Sequence, residues 1–320
     1  MNSIRYDWTL EEMKELYDLA LIDLIAKSHA LHCQYHRVGE VQVCTLISIK
    51  TGGCPEDCKY CAQSSRYQTP IAAQPMMSYE EVLKAAQKGV ESGATRICLG
   101  AAWRQVRDGK QFEEVLRMIQ GIAALGVEVC CTLGMLQEHQ AKRLKEAGLY
   151  AYNHNLDSSE TFYKAFVTTR SYQDRLDTLD IVEVAHLSIC CGGILGMGEK
   201  ITDRLELLLK LATRHPHPGS VPINQLTQIP GTPFEDQPKL SFWEVLRIIA
   251  IARITMPQAM VRLSCGRVHM SYEEQLLCFF TGANSIFAGE KLLTVANPSL
   301  DKDTEMFALF GLKKQRAFNK

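Results

Sequence analysis

The segment Val127-Glu128-Val129-Cys130-Cys131-Thr132-Leu133 sets the expectation for the whole fold. Its apolar positions alternate with Glu128, Cys130 and Thr132, as they do in a β-strand, where successive side chains point to opposite faces. Stretches of helical length separate it from similar segments, so that strands are predicted at 41–49, 95–100, 127–133, 150–155, 187–192, 220–224, 261–264 and 284–287. Eight strands joined by helices predict an α/β fold of the (β/α)8 TIM-barrel type, with a doubly wound open sheet as the alternative.

Helices are predicted between the strands from their caps and their spacing. In a capping box, a serine side chain and a glutamate three residues later satisfy each other's free backbone amides. Three pairs have this spacing: Ser78 with Glu81, Ser241 with Glu244, and Ser271 with Glu274. About the first 35 residues predict one more amphipathic helix ahead of the barrel. We therefore expect a single domain over 1–320, with an N-terminal helical extension at 1–38, the barrel at 39–295 and a tail at 296–320.

The composition narrows the class of function. The 320 residues are 46% hydrophobic and 22% charged, which is sufficient for a large core. The net charge of -1, without a Lys/Arg-rich run, gives no basis for binding nucleic acid or an anionic membrane. No apolar run has the character of an export signal or a membrane span, so we expect a cytoplasmic protein. Twelve cysteines in such a chain argue against a disulfide framework and for metal or redox chemistry.

The lumen of the predicted barrel is unusually polar. Helix-facing positions must be apolar, so the opposite parity of each strand points inward. The inward positions then carry these polar side chains: Arg96, Cys98, Cys130, Asn153, Asn155, Cys190, Asn224 and Arg262. An ordinary barrel interior holds branched apolar residues, and polar groups without partners would be costly there. We therefore expect the interior to surround polar cargo.

A cysteine-rich loop, Thr51-Gly52-Gly53-Cys54-Pro55-Glu56-Asp57-Cys58-Lys59-Tyr60-Cys61, directly follows the first predicted strand. Three thiolates this close together can wrap one metal centre. Structural zinc sites and cubane iron–sulfur clusters usually take four protein ligands, so three thiolates leave one position open. The loop also lies at the C-terminal end of a barrel strand, where barrel active sites lie. The alternative is a zinc knuckle or an incidental cysteine-rich loop.

The C-x-x-x-C-x-x-C spacing resembles the signature of the radical S-adenosylmethionine superfamily, in which the open iron of a 4Fe–4S cluster binds the cofactor. Further stretches resemble the biotin synthase family, at 48–52, 61–67, 152–157, 168–170, 221–224 and 261–264. The resemblance runs from about residue 40 to residue 312. It implies an enzyme that inserts sulfur into dethiobiotin with 5′-deoxyadenosyl radicals generated from S-adenosylmethionine.

The resemblance also implies two sets of cluster ligands. The 4Fe–4S cluster would be held by Cys54, Cys58 and Cys61. A 2Fe–2S cluster deep in the barrel would serve as the catalytic sulfur donor, and its ligands would be Cys98, Cys130, Cys190 and Arg262. The strand parity places all four of these inner positions in the lumen without reference to any family.

Roles in binding the cofactor and the substrate follow from the same resemblance. S-adenosylmethionine would contact Tyr60, Asp157 (at its ribose), Arg175 (at its carboxylate) and the glycine loop at Gly192 and Gly193. Dethiobiotin would contact Asn155 and Asn224 at its ureido ring, and Thr294. Two alternatives stay open: the glycine loop as a plain strand–helix turn, and the asparagines as caps of turns.

The resemblance further implies an electron donor of the flavodoxin or ferredoxin type, dependence on iron–sulfur assembly machinery, and a homodimer. Two other functions remain open at this point. One is a different barrel radical enzyme with an auxiliary cluster, such as a maturase or another sulfur-inserting enzyme. The other is a non-catalytic iron–sulfur or zinc protein, although an electron carrier needs no polar lumen.

Physical chemistry and the resemblance disagree on the fourth ligand of the inner cluster. A guanidinium at pH 7 has no free lone pair, whereas Cys44, which has lumen parity on the first strand, loses its proton far more readily. Family members nevertheless use the arginine and carry serine where this chain has Cys44. We therefore expect Arg262 to be the ligand and Cys44 to pack beneath it.

Overall fold

Twelve strands are present in the computed structural model, which describes residues 4–318. They are β1 (Glu40–Lys50), β2 (Arg96–Ala101), β3 (Glu128–Thr132), β4 (Ala151–Asn153), β5 (Ser188–Cys190), β6 (Gly193–Leu195), β7 (Ser220–Gln225), β8 (Met260–Leu263), β9 (Ser285–Ala288), β10 (Lys291–Leu292), β11 (Val295–Ala296) and β12 (Lys313–Lys314). Parallel pairing runs in order from β1 through β5 to β7, β8 and β9, and β9 pairs with β1. This closure confirms the predicted eight-stranded barrel and rules out the open sheet.

The four remaining strands were not predicted from the sequence. β6 follows β5 directly and pairs with β7 at the C-terminal end of the barrel. β10 and β11 form a short antiparallel hairpin after the last barrel strand. β12 pairs with the start of β1, Glu40 opposite Lys313. β10, β11 and β12 have two residues each, too few to show a periodicity, and β6 begins directly after the strand predicted at 187–192.

Helices surround the barrel: α1 (Leu10–Asp18), α2 (Leu21–Tyr35), α3 (Tyr79–Glu91), α4 (Lys110–Ala123), α5 (Glu138–Glu146), α6 (Glu160–Tyr163), α7 (Tyr172–Val184), α8 (Ile201–Ala212), α9 (Phe242–Thr255), α10 (Tyr272–Thr281) and α11 (Leu300–Phe310). The predicted capping boxes of α3 and α10 are confirmed. The one predicted for α9 is wrong, because the Ser241 side chain makes no cap hydrogen bond. Glu244 instead accepts hydrogen bonds from Arg204 Nη1 (2.9 Å) and Tyr17 Oη (2.5 Å), so the nearby guanidinium takes the carboxylate that the cap would need.

The N-terminal extension is two helices rather than the single helix predicted. A capping box at Thr9 starts α1, and the extended backbone of Leu19 and Ala20 separates it from α2. Within α2, Ser28 donates a hydrogen bond to the backbone carbonyl of Thr281 at 2.5 Å, which joins the extension to α10. The first three residues of the predicted extension and the last two of the predicted tail lie outside the described residues.

The buried residues divide into two groups that follow strand parity. Val129, Cys131 and Leu133 are fully buried in the main core between the sheet and the helices. A separate group lies inside the barrel and consists of Cys44, Cys98, Cys130, Ala151, Cys190, Phe287 and Leu292. The inward orientation predicted for the strand cysteines is therefore confirmed. Within residues 4–318, no helix has both the length and the apolarity needed to cross a membrane.

Candidate functional site

The cysteine loop at 54–61 folds back on itself at the C-terminal end of β1. Gly52 and Gly53 have φ of 71° and 70°, a left-handed conformation that favours glycine. A Cβ on Gly52 would also lie 2.9 Å from Ala73 Cα, so the backbone there has no room for a side chain. The amide of Cys54 donates to the carbonyl of Gln63 at 2.9 Å. These constraints set the three thiols of the loop on one compact turn.

A polar clamp fastens the loop to the segment before α7. The Asp57 carboxylate accepts hydrogen bonds from the backbone amides of Thr168 (2.9 Å) and Thr169 (3.1 Å) and from both threonine hydroxyls. Partial burial acts to raise the pKa of Asp57, but these hydrogen bonds outweigh it and lower the pKa to about 2. From the same segment, Arg170 Nη2 donates to Cys58 Sγ at 3.4 Å. The segment at 168–170 therefore supports the cysteine loop.

The donor set of this loop fits an iron–sulfur cluster. Burial raises the pKa of Cys58 to about 11 and that of Cys61 to about 12, so iron has to displace the thiol protons on binding. Within the described residues, no three His, Cys, Asp or Glu side chains are arranged to hold a single metal ion. A cubane cluster is wider than one ion and binds ligands that stand further apart. Three thiolates leave one iron of a 4Fe–4S cluster open, so the donor set of the loop is compatible with such a cluster.

The inner cysteines form a row across neighbouring strands. Cys98 and Cys130 lie directly opposite each other in the register of β2 and β3. Cys190 lies opposite Asn153 on β4, and the Asn153 Nδ2 group donates to Cys190 Sγ at 3.3 Å. The hydrogen bond with Cys130 and the nearby Arg262 lower the pKa of Cys190 to about 6 despite its burial. The barrel thus brings together three thiols that are 32 residues (Cys98 to Cys130) and 60 residues (Cys130 to Cys190) apart in the sequence.

Arg262 reaches into this row from β8 and is 1% exposed. Its Nη1 lies 3.6 Å from Cys190 Sγ, its Nε donates to Ser285 Oγ at 2.9 Å, and its Nη2 donates to Gln42 Oε1 at 3.1 Å. Burial acts to lower the pKa of Arg262, but the thiolate charges of the row raise it overall. Within the described part of the chain these partners include no carboxylate. A buried cation of this kind requires a negative partner, and an anionic cluster on the thiol row would supply it.

The other inward arginine has its own counter-charge. Arg96 lies one layer below the thiol row, and its Nε donates to Glu128 Oε2 at 2.7 Å. Gln42 Nε2 donates to the same oxygen at 3.1 Å. Reasoning from the sequence missed Gln42 and Ser285 as partners of Arg262, although Gln42 has lumen parity on β1. The Arg96–Glu128 pair closes the floor beneath the thiols.

Two of the residues expected to bind the cofactor form hydrogen bonds with a third, Asp157. The Tyr60 hydroxyl and Arg175 Nη2 both donate to Asp157 Oδ2 at 2.7 Å. Tyr60 and Asp157 line the cavity at the barrel mouth. Arg175 is 6% exposed, and its Nε also donates to the hydroxyl of Tyr163 at 3.1 Å. Arg175 therefore lies behind Asp157 and fixes the position of its carboxylate.

Gly192 and Gly193 lie where β5 gives way to β6, and their neighbours leave no room for a side chain. A Cβ on Gly192 would lie 2.0 Å from the carbonyl oxygen of Pro222. A Cβ on Gly193 would lie 2.3 Å from Leu207 Cδ2. Close packing against β7 and α8 therefore explains both glycines without any cofactor, as the alternative of a plain strand–helix turn predicts.

A cavity of about 220 Å³ opens at the barrel mouth between the cysteine loop and the β10–β11 hairpin. Asn155, Asn224 and Thr294 all contribute to its wall, with Thr294 in the turn of the hairpin. Asn155 Oδ1 accepts from the Gly192 amide at 3.1 Å. Asn224 Nδ2 donates to the Gly193 carbonyl at 3.0 Å. The two asparagines therefore brace strand ends, as the alternative interpretation held, and also line the cavity.

The barrel and its three-thiol loop place the chain in a class of enzymes. Residues 48–212 match the Radical SAM superfamily. The fold is shared with methylornithine synthase (TM-score 0.79, 17% identity, covering 96% of this chain and 94% of that one). It is also shared with the FeFe-hydrogenase maturase HydG from Carboxydothermus hydrogenoformans (TM-score 0.80, 17% identity, 95% of this chain and 75% of that one). At such identities these structures show the fold alone.

Sequence comparison gives the family within that class. Residues 222–313 match the Biotin and Thiamin Synthesis associated domain. The biotin synthase of Cytophaga hutchinsonii is 55% identical over 318 residues, covering 99% of this chain and 94% of that protein. The biotin synthase of Chlamydia abortus is 58% identical over 312 residues, covering 98% and 94%. The chain belongs to the biotin synthase family, whose members insert sulfur and use a 4Fe–4S cluster, a 2Fe–2S cluster and S-adenosylmethionine.

Proposed function

We propose that this chain converts dethiobiotin to biotin with its two thiol sets in separate roles. Cys54, Cys58 and Cys61 would hold the 4Fe–4S cluster, and the inner 2Fe–2S cluster would bind to Cys98, Cys130, Cys190 and Arg262. The observation that carries this division is the position of the mouth cavity. Cys61 lines this cavity. Three other lining residues, Leu46, Phe287 and Leu292, pack against the inner thiols. A substrate there would lie between the two sets.

The reaction requires chemistry that side chains alone do not provide. One sulfur atom has to bridge two carbons whose C–H bonds are unactivated, and no protein base removes such protons. When bound, the loop cluster supplies the electron that cleaves S-adenosylmethionine to a 5′-deoxyadenosyl radical, and the inner cluster supplies sulfide. The contribution of the protein is to hold the reactants in place and to keep water away from them.

The cofactor would be held beside the cysteine loop. Asp157, fixed by Arg175, would accept hydrogen bonds from the ribose hydroxyls, and the Tyr60 ring would lie against the cofactor. Backbone groups near Gly192 and Gly193 would contact it from β6. Arg175 would bear on the cofactor carboxylate mainly through electrostatic attraction, because its hydrogen bonds go to Asp157 and Tyr163.

Dethiobiotin would bind through neutral amides that suit its uncharged ureido ring. The side-chain oxygen of Asn155 accepts hydrogen bonds from Asn153 and Gly192. Its NH₂ group has no hydrogen-bond partner among the described residues and would donate to the ureido carbonyl. Asn224 and Thr294 would complete the contacts from β7 and the hairpin. The apolar wall formed by Leu46, Phe287 and Leu292 would receive the methyl end of the substrate next to the sulfur donor.

Arg262 would be the fourth ligand of the inner cluster. A guanidinium has a pKa far above 7, so freeing its lone pair is costly, and the bond to iron has to offset this cost. Its burial, its contact with Cys190 and its lack of a carboxylate partner among the described residues support the assignment.

The family also leads us to propose an electron donor of the flavodoxin or ferredoxin type, and iron–sulfur assembly machinery that loads the clusters. We propose a homodimer, since exposed apolar side chains lie on the mutually packed helices α2, α9 and α10. We place the enzyme in the cytoplasm, where reduced thiols persist. The single-domain division into 1–38, 39–295 and 296–320 is part of the same proposal.

The test is an anaerobic incubation of the loaded protein with S-adenosylmethionine, a reductant and dethiobiotin, followed by mass spectrometry. We expect both biotin and 5′-deoxyadenosine, and the same protein without dethiobiotin provides the control. Formation of 5′-deoxyadenosine without biotin would support radical generation and contradict the assigned substrate.

A further inference from the structure

The lumen holds a fourth thiol that no part of the proposed mechanism uses. Cys44 is fully buried on β1 and belongs to the same interior group as the three inner ligands. Leu46, the next inward-facing position of β1, lies opposite Cys98, and Cys98 lies opposite Cys130. Cys190 belongs to the same buried group. The barrel interior therefore holds four buried thiols, and Cys44 lies beneath the three that are assigned to the inner cluster.

Cys44 and Arg262 also share their polar neighbours. Gln42 Oε1 accepts from Arg262 Nη2 at 3.1 Å and lies 3.6 Å from Cys44 Sγ. Ser285 Oγ accepts from Arg262 Nε at 2.9 Å and lies 3.8 Å from Cys44 Sγ. Because the thiol and the guanidinium flank the same two groups, they approach the inner site from the same side.

We propose that Cys44 is a reserve ligand of the inner cluster and takes the fourth coordination position whenever Arg262 leaves it. The inference rests on the proposed function, in which Cys98, Cys130 and Cys190 supply the other three ligands. Thiolate is the usual ligand of 2Fe–2S clusters, and β1 places Cys44 in the interior of the same barrel. With Cys44 in reserve, the cluster would keep four protein ligands when Arg262 dissociates or is replaced.

The exchange balances in protons and electrons. The bond between iron and the arginine nitrogen breaks, and a bond between iron and Cys44 sulfur forms. The proton of the Cys44 thiol passes to the guanidine, which becomes a guanidinium again beside the anionic cluster. No oxidant or reductant is needed, because the iron keeps its oxidation state.

The experiment compares Arg262→Leu, Cys44→Ala and the double variant after anaerobic reconstitution with iron and sulfide. The readouts are bound iron and sulfide per chain, Mössbauer spectra, resonance Raman spectra in the iron–sulfur stretching region, and the reduction potential of the inner cluster. Leucine is used because a methionine thioether could itself bind iron, and Arg262→Gln is a second variant that retains polar contacts to the shared neighbours. Cys131→Ala is the matched control, since it removes an adjacent buried thiol that faces the helices.

We expect Arg262→Leu to retain the inner cluster with four thiolates and a lower reduction potential, because replacing nitrogen by thiolate ligands lowers the potential. We expect the double variant to bind the inner cluster about tenfold less well, the effect of losing a determinant of metal affinity. Cys44→Ala and Cys131→Ala should resemble the unmodified chain. Retention in the double variant, loss of the cluster in both folded Arg262 variants, or loss in Cys44→Ala alone would overturn the proposal.

A failure of the proposed function would look different. Cys98→Ala should lose the inner cluster in every background, while the cluster on the cysteine loop remains. If the unmodified chain took up only the loop cluster, or if Cys98→Ala kept both, the assignment of the inner ligands would fail before Cys44 is considered. Circular dichroism and the loop-cluster spectrum show in each variant that the barrel has folded.

Discussion

The mouth site (Cys54, Cys58 and Cys61) and the inner site (Cys98, Cys130, Cys190 and Arg262) both rely on cysteine, but different structural elements hold the cysteines in place. At the mouth, three cysteines lie within eight residues on a loop, and Asp57 with Thr168 and Thr169 clamps that loop in place. Inside the barrel, the cysteines come from separate strands; the register of the sheet sets Cys98 opposite Cys130 and Cys190 opposite Asn153. A loop site depends on a few local contacts, whereas a strand site is as stable as the barrel itself.

The two sites also differ in exposure and in the arginine that accompanies them. Cys54 and Cys61 are partly exposed and Cys61 lines the cavity, while Cys58 and all the inner cysteines are buried. Arg170 donates to Cys58 and lies near Glu56, so its charge is partly met by a carboxylate. Arg262 has only neutral or thiol partners among the described residues. These differences support the proposed reversible cofactor binding at the mouth and the proposed sulfur store in the interior.

The largest effect is expected from breaking the mouth site. Cys58→Ala removes one of the three proposed protein ligands of the radical-generating cluster, so reductive cleavage of S-adenosylmethionine should fall below detection. Chromatography of 5′-deoxyadenosine measures this directly. The inner cluster should persist in the same variant and is followed by its visible spectrum. Normal 5′-deoxyadenosine production by Cys58→Ala would contradict the assignment of the loop.

Breaking the inner site should separate the two activities. Cys130→Ala should abolish biotin formation and leave part of the cofactor cleavage, because the mouth site is intact. Mass spectrometry of both products measures the separation. Cys131→Ala is the control on the same strand, with its side chain on the helix-facing side. Equal loss of biotin in the two variants would mean that the inward orientation has no functional meaning.

An intermediate effect is expected from the clamp of the loop. Asp57→Ala removes the acceptor of the hydrogen bonds from Thr168 and Thr169, so the thiols lose their fixed position. We expect about a tenfold fall in cofactor cleavage, as is typical when support of metal ligands is removed. Iron content should fall by the share of the mouth cluster only. A variant with full iron content and full activity would show that the clamp is dispensable.

The smallest effect sharpens the comparison from the stability side. Cys131→Ala removes one buried sulfur from the core between sheet and helices. The free energy of unfolding should fall by about 1 kcal/mol, in line with small losses of buried volume. Denaturant titration of the cluster-free protein measures the change, and Cys33→Ala, at an exposed position, provides the reference. A loss of several kcal/mol would indicate that Cys131 has a role beyond packing.

Much of the fold was predictable because the segments that contain the barrel strands alternate in hydrophobicity, even where the strand itself, as in β4 and β5, has only three residues. All eight predicted strands overlap observed ones, and the mouth motif is contiguous in sequence. The two-residue strands and the break at Leu19–Ala20 were not predictable, because they depend on backbone geometry and tertiary pairing. The capping box predicted at Ser241 failed for a similar reason, because Arg204, distant in the sequence, binds the carboxylate of Glu244.

The candidate site was predictable to different depths in its two halves. Strand parity placed Cys98, Cys130 and Cys190 in the lumen, but it did not reveal which groups surround Arg262. The roles of Gln42 and Ser285 depend on the stagger between β1, β8 and β9, which no single-strand pattern contains. The sequence likewise did not show that Gly192, a proposed cofactor contact, also packs against Pro222.

The central claim is that the inner site supplies the sulfur while the mouth site generates the radical. The most direct measurement loads the clusters with heavy-isotope sulfide, allows a single turnover in unlabelled buffer, and determines the mass of the sulfur in the biotin. The account predicts biotin that carries the heavy isotope, together with loss of the inner cluster spectrum and retention of the mouth cluster. Biotin that carries only light sulfur would contradict it.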